Sequence, residues 1–367
     1  MERSTFNQLS LSQYVFIIYK TQIGIGVLTL PRDVAEQAGT DGWISIVIGW
    51  AVSVALSILI VKIMEKHPED TLYDLLPKIF GKWMGKGLSL LWVLYSLFAA
   101  STVFFVTLHI IEVWVLPGAK AYQLTILFMI PILMIVQHGL KAIGRTADFV
   151  YLATIWMPLI LIFSLQEHVE WLNLLPLMKE GWKPVFGAVK STALSFLGFE
   201  MAFLLYPFLK NKKAAVKGIV IANSLSLLIY FIATLFSFVR FSPEQVKQFV
   251  WPTLVLLKPI QFPFLERLEI TFLSFYLFVL FMTVIPYFYM ALFGTMKITG
   301  KQDHRPLMWG IALSGIILML FVEPLSTEVN QLQKWFGNVG ILYAFLFPPF
   351  LWLMDRIVTR TKMGSMK

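Results

Sequence analysis

The sequence has no cysteine and few charged residues, and both shortages limit what the chain can be. Without thiols, its 367 residues form no disulfide, no cysteine-bound iron–sulfur cluster and no thiol nucleophile. Charged residues make up 14% of the chain, whereas a soluble domain has about 25%. A chain with so little charge cannot cover itself with polar surface. We therefore predict one integral membrane domain over residues 1–367, surrounded by the lipid bilayer.

Residues typical of metal sites are also sparse. The five histidines are far apart, and none has a histidine or carboxylate partner at a metal-ligand spacing. The sequence therefore predicts no metal site and no cofactor. The net charge of +9 resembles the excess that nucleic-acid-binding chains carry, but it is concentrated in one set of loops.

Long apolar runs are what the sequence has in abundance. A helix needs roughly 17–25 residues to cross about 30 Å of hydrocarbon. Ten suitable runs are predicted, at residues 11–37, 43–62, 87–116, 122–138, 147–165, 187–209, 216–239, 268–295, 306–322 and 337–355. The predicted fold is therefore all-α, with ten transmembrane helices.

Basic residues favour one side of these ten runs. If the N-terminus is cytosolic, the inside segments hold 19 Lys and Arg residues and the outside segments hold 9. This bias predicts that both termini are cytosolic, and that the positive charge reflects orientation rather than a nucleic-acid partner. Outside, residues 166–186 and 240–267 are predicted to form short helices on the membrane surface, with Trp171, Trp182 and Trp251 at headgroup level.

The first apolar run contains residues that a continuous helix disfavours. It includes Gly24-Ile25-Gly26 and then Pro31. In a helix interior glycine costs about 0.5–1 kcal/mol and proline about 3 kcal/mol. We therefore predict a broken helix, whose second half turns its N-terminal end toward a polar cavity and attracts an anionic group such as an amino acid's carboxylate. The alternative is that the glycines serve only close helix packing.

The sixth run repeats these features. Gly198 lies in mid-run beside the carboxylate of Glu200, and Pro207 follows. Runs one and six begin two halves of five helices each, and because five is odd the second half is inverted relative to the first. The sequence thus predicts inverted repeats at about 11–165 and 187–355, with two discontinuous helices meeting at the membrane midplane.

Three stretches of the sequence resemble a known family. They are IGIGVLTLP (Ile23–Pro31), AGTDGWIS (Ala38–Ser45) and FLGFEMAFLLYPF (Phe196–Phe208). They resemble the B subunits of GerA-type spore germinant receptors, which belong to the amino acid–polyamine–organocation superfamily and share its LeuT-like fold. The resemblance implies a nutrient sensor in the inner membrane of a bacterial spore. Such a subunit binds a small germinant, often an amino acid, and works with an A subunit and a lipoprotein C subunit.

Candidate binding residues follow from the two breaks and from this resemblance. The breaks offer two opposing walls, Gly24, Ile25, Gly26 and Val27 on one side and Gly198, Phe199, Glu200 and Met201 on the other. In the superfamily the third and eighth helices complete the site. Those runs offer Ser101, Thr102, Phe105, Ser274 and Tyr276.

Lys20, Glu200 and Ser274 are candidates for gating or for a proton or cation site. Glu200 accepts an ammonium group of the ligand, carries a proton, or accepts hydrogen bonds from the broken backbone. Lys20 lies one turn before Gly24. It mimics a bound cation, closes an inner gate by pairing with a carboxylate, or extends to the cytosolic interface.

Two functions fit this pattern. A receptor subunit would bind an amino acid and signal to its partners, whereas a proton-coupled transporter would carry it by rocking one helix bundle against the other. Both would use the same pocket. Ten helices and the LGFE motif favour the receptor, since permeases of the superfamily usually have twelve. We expect no enzyme, because no nucleophile–base pair, metal cluster or nucleotide-binding loop is recognisable.

Overall fold

The computed structural model describes residues 8–166, 169–260, 267–321 and 326–364, which are almost entirely helical. The first helices are α1 (Leu11–Gln22), α2 (Gly26–Ala38), α3 (Gly42–Lys66), α4 (Leu72–Phe80), α5 (Lys82–Trp114), α6 (Ala121–Val136), α7 (Leu140–Thr154) and α8 (Met157–Ile160). The later ones are α9 (Trp182–Ser195), α10 (Ala202–Leu205), α11 (Ala215–Arg240), α12 (Pro243–Val246), α13 (Pro252–Val255), α14 (Leu268–Thr299), α15 (Arg305–Phe321), α16 (Ser326–Gly340) and α17 (Phe347–Gly364). Parts of the predicted segments, at 167–168, 261–266, 322 and both termini, lie outside the described residues.

The helices are those of an integral membrane protein. Six helical stretches in the described ranges are long and apolar enough to cross a membrane, and a bent pair raises this number to as many as seven. Two further apolar helices, α6 and α15, are shorter, with 16 and 17 residues. The all-α membrane fold is thus confirmed, whereas the number of ten crossings stays a prediction.

Several helices extend beyond the apolar runs that predict them. α7 begins at Leu140 rather than at residue 147, and α16 begins at Ser326 rather than at residue 337. Both extensions are rich in polar residues. Hydropathy detects the part of a helix that lies in hydrocarbon, so it misses polar turns that continue the same helix outside it.

α1 and α2 form one interrupted helix, as predicted. α1 ends at Gln22, and Ile23, Gly24 and Ile25 separate it from α2. A Cβ added at Gly24 would lie 2.6 Å from Thr283 Oγ1 on α14. The close approach of α14 therefore requires glycine at this position.

α9 and α10 belong to the second interrupted helix, which bends by 45° at the break. Gly198 has a φ of +123°, a conformation that L residues rarely adopt. A Cβ added there would also lie 2.9 Å from Thr21 Cγ2 and 3.1 Å from Gln22 N. The second break therefore touches the end of α1, and the two interruptions lie side by side in the interior.

Main-chain bonds join the segments at the other ends of the two interrupted helices. Leu9 N donates to Phe208 O at 2.8 Å, and Lys210 N donates to Leu9 O at 3.0 Å. Leu9 and Leu209 form an isolated parallel bridge, and both side chains are buried. The residue before α1 is thus fixed to the residues that follow α10.

The outer segments differ from the surface helices predicted for them. Residues 171–174 form a short 3-10 turn. Trp171 and Trp182 are exposed, as interfacial tryptophans are. Trp251 is only 8% exposed, and its ring lies 6.4 Å from that of Trp114 on α5. The headgroup position predicted for Trp251 is wrong, because the loop that carries it packs against the helix bundle.

Candidate functional site

The start of α2 presents free backbone N–H groups to the first break. The first bonds of this helix run from Leu28 N and Thr29 N to Ile25 O, so the N–H groups just before Leu28 have no acceptor within the helix. No side chain caps Ile25, and Ile25 and Gly26 are only half-buried. This end carries the positive pole of the helix dipole and suits an anionic group.

α14 holds the opposite side of the first break through two hydroxyl groups. The hydroxyl of Tyr276 lies 2.8 Å from Ile23 O and 2.6 Å from Gly24 O, to which it donates. Thr283 Oγ1 donates to Lys20 O at 3.0 Å. The structure therefore brings Tyr276 to the break, with its hydroxyl on the backbone carbonyls that end α1.

Tyr230 of α11 connects the two breaks. Its hydroxyl lies 2.7 Å from Gln22 O at the end of α1 and 2.6 Å from Ser195 O at the end of α9. A Cβ added at Gly26 would lie 2.9 Å from this hydroxyl, which explains the second glycine of the first break. Sequence reasoning missed Tyr230, because one tyrosine in an apolar run gives no signal of its own.

An amide network extends this connection. Gln22 Nε2 donates to Phe196 O at 3.0 Å and to Asn223 Oδ1 at 2.9 Å. Ser226 Oγ donates to Gln22 Oε1 at 2.6 Å, and Asn223 Nδ2 donates to Ser57 Oγ at 3.1 Å. Sequence reasoning missed this network as well. The available signal was the presence of two amide side chains inside apolar runs.

Glu200 lies at the second break with both carboxylate oxygens occupied. Oε1 accepts from the hydroxyls of Tyr95 at 2.7 Å and Tyr287 at 2.6 Å. Oε2 accepts from Gly198 N at 2.7 Å. Glu200 is fully buried, and among the described residues no Lys or Arg forms an ion pair with it. Three donors thus stabilise this carboxylate, one of them from the broken backbone.

Aromatic rings surround Tyr95 on the side away from Glu200. Tyr343 stacks on Tyr95 with ring centroids 4.6 Å apart and an interplanar angle of 4°. Tyr343 belongs to a π-helical turn, Ile341–Leu346, that joins α16 to α17. Pro348 and Pro349 follow it, and because proline has no N–H, the carbonyls four residues earlier lose their helical donors. This irregular turn therefore lies against the partners of Glu200.

Phe199 and Met201, on either side of Glu200, are fully buried. The ring of Phe199 packs edge-on against Phe345, with centroids 5.6 Å apart. Val27, on the facing wall, is 3% exposed. These three predicted residues lie in the packed interior beside the breaks, and none of them faces lipid.

Lys20 lies in the interior, one turn before the first break. Its side chain is buried, with 2% of the residue exposed. Nζ donates to Thr154 Oγ1 on α7 at 2.7 Å and lies 4.9 Å from the centre of the Tyr19 ring. Extension to the cytosolic interface is therefore wrong for this lysine, because its partner lies inside the bundle. In the described part of the chain its ammonium group contacts a hydroxyl rather than a carboxylate.

The structure does not bring the other predicted residues to the breaks. Ser101 is exposed on the arc of α5 that carries Leu90 and Leu94, which are both exposed. Ser274 is also exposed, and its hydroxyl donates to Ile270 O. Thr102 is buried, but its hydroxyl donates within its own helix, to Phe98 O. Phe105 is half-buried.

Comparison with known proteins identifies relatives along almost the whole chain. Residues 8–347 match the family model described as "Spore germination protein". The chain is 27% identical to spore germination protein GerQB of Bacillus cereus over 95% of this chain and 96% of that protein. It is 31% identical to spore germination protein YndE of Bacillus subtilis (strain 168) over 96% of this chain and 97% of that protein.

Among solved structures, the chain is similar to the crystal structure of MhsT in complex with L-phenylalanine. The TM-score is 0.61 at 13% sequence identity, over 93% of this chain and 87% of that one. At this identity the similarity shows the fold alone, and it confirms the LeuT-like fold expected from the sequence. Together with the relatives, it supports a germinant-receptor or permease-like role for an integral membrane protein.

Proposed function

The chain belongs to the spore germination protein family, and on this basis we propose that it is the B subunit of a germinant receptor. It binds a small nutrient, an amino acid, where the helices α1–α2 and α9–α10 are interrupted. Binding changes the arrangement of the helix bundle, and partner subunits respond to that change.

One observation carries this proposal: the free N–H groups at the start of α2 face carbonyls that are already held in place. The N–H end suits the carboxylate of an amino acid. Ile23 O and Gly24 O accept from Tyr276, but each carbonyl oxygen has a second lone pair. Those lone pairs suit an ammonium group. A zwitterion thus finds complementary charge at both ends of one break.

The fold of MhsT supports the ligand class. The crystal structure of MhsT is a complex with an amino acid, L-phenylalanine, so a protein of this fold accepts a ligand of this kind. In the present chain Ile25 and Gly26 are the half-buried residues of the first break, so they are the first that an entering ligand would meet. Because Glu200 already accepts three hydrogen bonds, we assign it to fixing the second break rather than to direct contact with the ligand.

As a B subunit, the chain acts in the inner membrane of the bacterial spore together with an A subunit and a C subunit. Both termini lie in the cytosol. The chain is a single transmembrane domain of two inverted repeats, at about 11–165 and 187–355. It is not an enzyme and uses no cofactor and no nucleic acid. The polar contacts between the two breaks support this arrangement, since the repeats would meet there.

The second candidate function is proton-coupled transport of an amino acid. It is favoured by the two buried ionisable side chains near the breaks, Lys20 and Glu200. Ionisable residues inside the membrane commonly mark proton or ion pathways. Neither has a partner of opposite charge among the described residues, so a change in protonation would not be opposed by a fixed ion pair.

The binding proposal is tested by thermal stabilisation of the purified protein across the twenty amino acids, including L-phenylalanine. We expect at least one of them to raise the unfolding temperature. Gly26→Ala should abolish this shift, because a Cβ there meets the hydroxyl of Tyr230. Gly310→Ala is the matched control, since a Cβ at Gly310 meets nothing within 4 Å. If Gly26→Ala binds as well as the parent does, the site lies elsewhere.

Transport is tested with the same protein in sealed vesicles. A labelled amino acid that produces stabilisation is added outside, with and without an inward proton gradient. Accumulation that depends on the gradient would establish the transporter and displace the receptor proposal. Binding without accumulation supports the receptor.

A further inference from the structure

The loop between α11 and α14 lies on the outer end of the first interrupted helix. Its short helices, α12 and α13, pack against α2. Val246, Leu254, Leu256 and Leu257 of this loop are fully buried. A loop with so many buried apolar side chains is part of the bundle's packing, and this explains why it does not lie on the membrane surface.

A single hydrogen bond anchors this loop to the first turn of α2. Pro31 lies four residues after Val27 in α2 and has no N–H, so the carbonyl of Val27 has no helical donor. Thr253 Oγ1, at 0% exposure of the residue, donates to Val27 O at 2.7 Å. The loop thus supplies the donor that the proline removes, at the same turn that presents its N–H groups to the break.

The other edge of the loop rests on α5. The ring of Trp251 lies 5.7 Å from that of His109 and 6.4 Å from that of Trp114. Nζ of Lys258 lies 4.9 Å from the centre of the Trp114 ring. The loop therefore bridges the outer ends of α2 and α5, which are neighbouring parts of the bundle above the breaks.

An accessible arc of α2 leads from the first break toward this end of the molecule. Ile25, Gly26, Thr29 and Arg32 are half-buried, whereas the residues on the other faces of α2 between them are buried. Since these residues recur at helical spacing, they form one continuous line along α2. A loop that moves relative to α2 would change access along that line.

We propose that the outer loop is a lid over the route to the first break, and that Thr253 is the positioning residue that latches it to Val27. This inference rests on the proposed function for the identity of the ligand, but not for the latch itself. The same hydrogen bond fixes the turn that carries the free N–H groups. Ligand binding and lid docking then strengthen each other, as thermodynamic linkage requires.

The latch is tested without any ligand, by measuring access to α2. The chain has no cysteine, so Thr29→Cys introduces its only thiol, on the half-buried arc. The rate of modification by a charged, membrane-impermeant methanethiosulfonate reagent is measured in lipid nanodiscs. Adding Thr253→Val should raise this rate about tenfold, since the buried carbonyl loses its only side-chain donor. Thr253→Ser retains a hydroxyl and should leave the rate near that of the parent.

Thr234→Val is the matched control. Thr234 is also fully buried, but its hydroxyl has no hydrogen-bond partner among the described residues. The control should therefore modify at the parent rate. Equal rates for Thr253→Val and the parent, or equal acceleration by both valine variants, would overturn the latch.

Restoring the missing N–H provides a second and independent measurement. Pro31→Ala gives α2 a backbone donor for Val27 O, so Thr253 becomes unnecessary. In the Pro31→Ala background, Thr253→Val should no longer accelerate modification. This double variant also decides the case if Thr253→Val alone does not fold, because it should fold and react slowly. Persistent acceleration in the double variant contradicts the proposal. A failure of amino-acid binding with an intact latch would instead count against the proposed function.

Discussion

The two helix breaks occupy matching places in the chain but are held open by different means. At the first, Tyr276 and Tyr230 come from other helices to bond its carbonyls, and the N–H groups at the start of α2 stay free. At the second, Glu200 turns back onto Gly198 N of its own segment. One break is thus available to a ligand and the other is closed on itself. Similar sequence features therefore do not imply similar chemistry.

Breaking the second interruption at its glycine should have the largest effect. Gly198→Ala places a side chain at a φ of +123° and 2.9 Å from Thr21 Cγ2. Backbone strain and overpacking together should lower the free energy of unfolding by roughly 3 kcal/mol or more. Denaturant titration in detergent micelles, followed by tryptophan fluorescence, measures this.

Gly187→Ala on α9 is the matched control for that change. A Cβ at Gly187 meets nothing within 4 Å, and alanine is the better helix former by about 0.5–1 kcal/mol. The control should be as stable as the parent or slightly more so. A Gly198→Ala variant with parental stability would mean that the second break does not have this conformation.

Removing the charge of Glu200 should have an intermediate effect. In Glu200→Gln, an NH₂ group replaces one of the two oxygens that accept from Tyr95, Tyr287 and Gly198 N. We expect the free energy of unfolding to fall by about 2–3 kcal/mol, since charge-assisted bonds become neutral and one buried donor loses its acceptor. The same titration measures it.

Glu244→Gln tests whether that loss depends on burial. Glu244 pairs with Lys247 at 2.6 Å, but its side chain is 79% exposed, and exposed ion pairs contribute about 0–1 kcal/mol. A small effect at Glu244 with a large one at Glu200 supports the fixed second break. Similar small effects at both would show that Glu200 does not hold it.

The smallest effect is expected from the hydroxyl that joins the two breaks. Tyr230→Phe leaves Gln22 O and Ser195 O without their tyrosine donor, at a cost of about 1–2 kcal/mol in the free energy of unfolding. The control is Tyr14→Phe, because the buried hydroxyl of Tyr14 has no partner in the described ranges. Tyr14→Phe should be neutral. If the two variants behave alike, the breaks are not coupled through Tyr230.

The sequence was informative where residues conflict with a continuous helix. Gly24, Gly26 and Gly198 predict interruptions because glycine is costly inside helices, and the structure places a break at each. The same reasoning identified Glu200 as a buried carboxylate in the interior. These signals are local, since each depends only on a residue and its neighbours along the chain.

The facing of hydroxyl residues could not be predicted in the same way. Ser101 and Thr102 are adjacent, yet Ser101 is exposed and Thr102 is buried. In a soluble helix the polar face would reveal this difference. In α5 both the outward and the inward faces are apolar, so the periodicity that assigns a face is absent. Contacts such as Thr253 with Val27 join residues far apart in the chain and leave no local signal either.

The bridge between Leu9 and Leu209 has a mechanical consequence. Its bonds run from backbone to backbone, so exchanging one ordinary side chain for another leaves the bonding groups in place, and only proline at residue 9 or 210 would remove a donor. The coupling is therefore insensitive to most sequence drift at these positions. Any force that shifts α1 is transmitted directly to the chain that leads into α11, and the front ends of both repeats travel together.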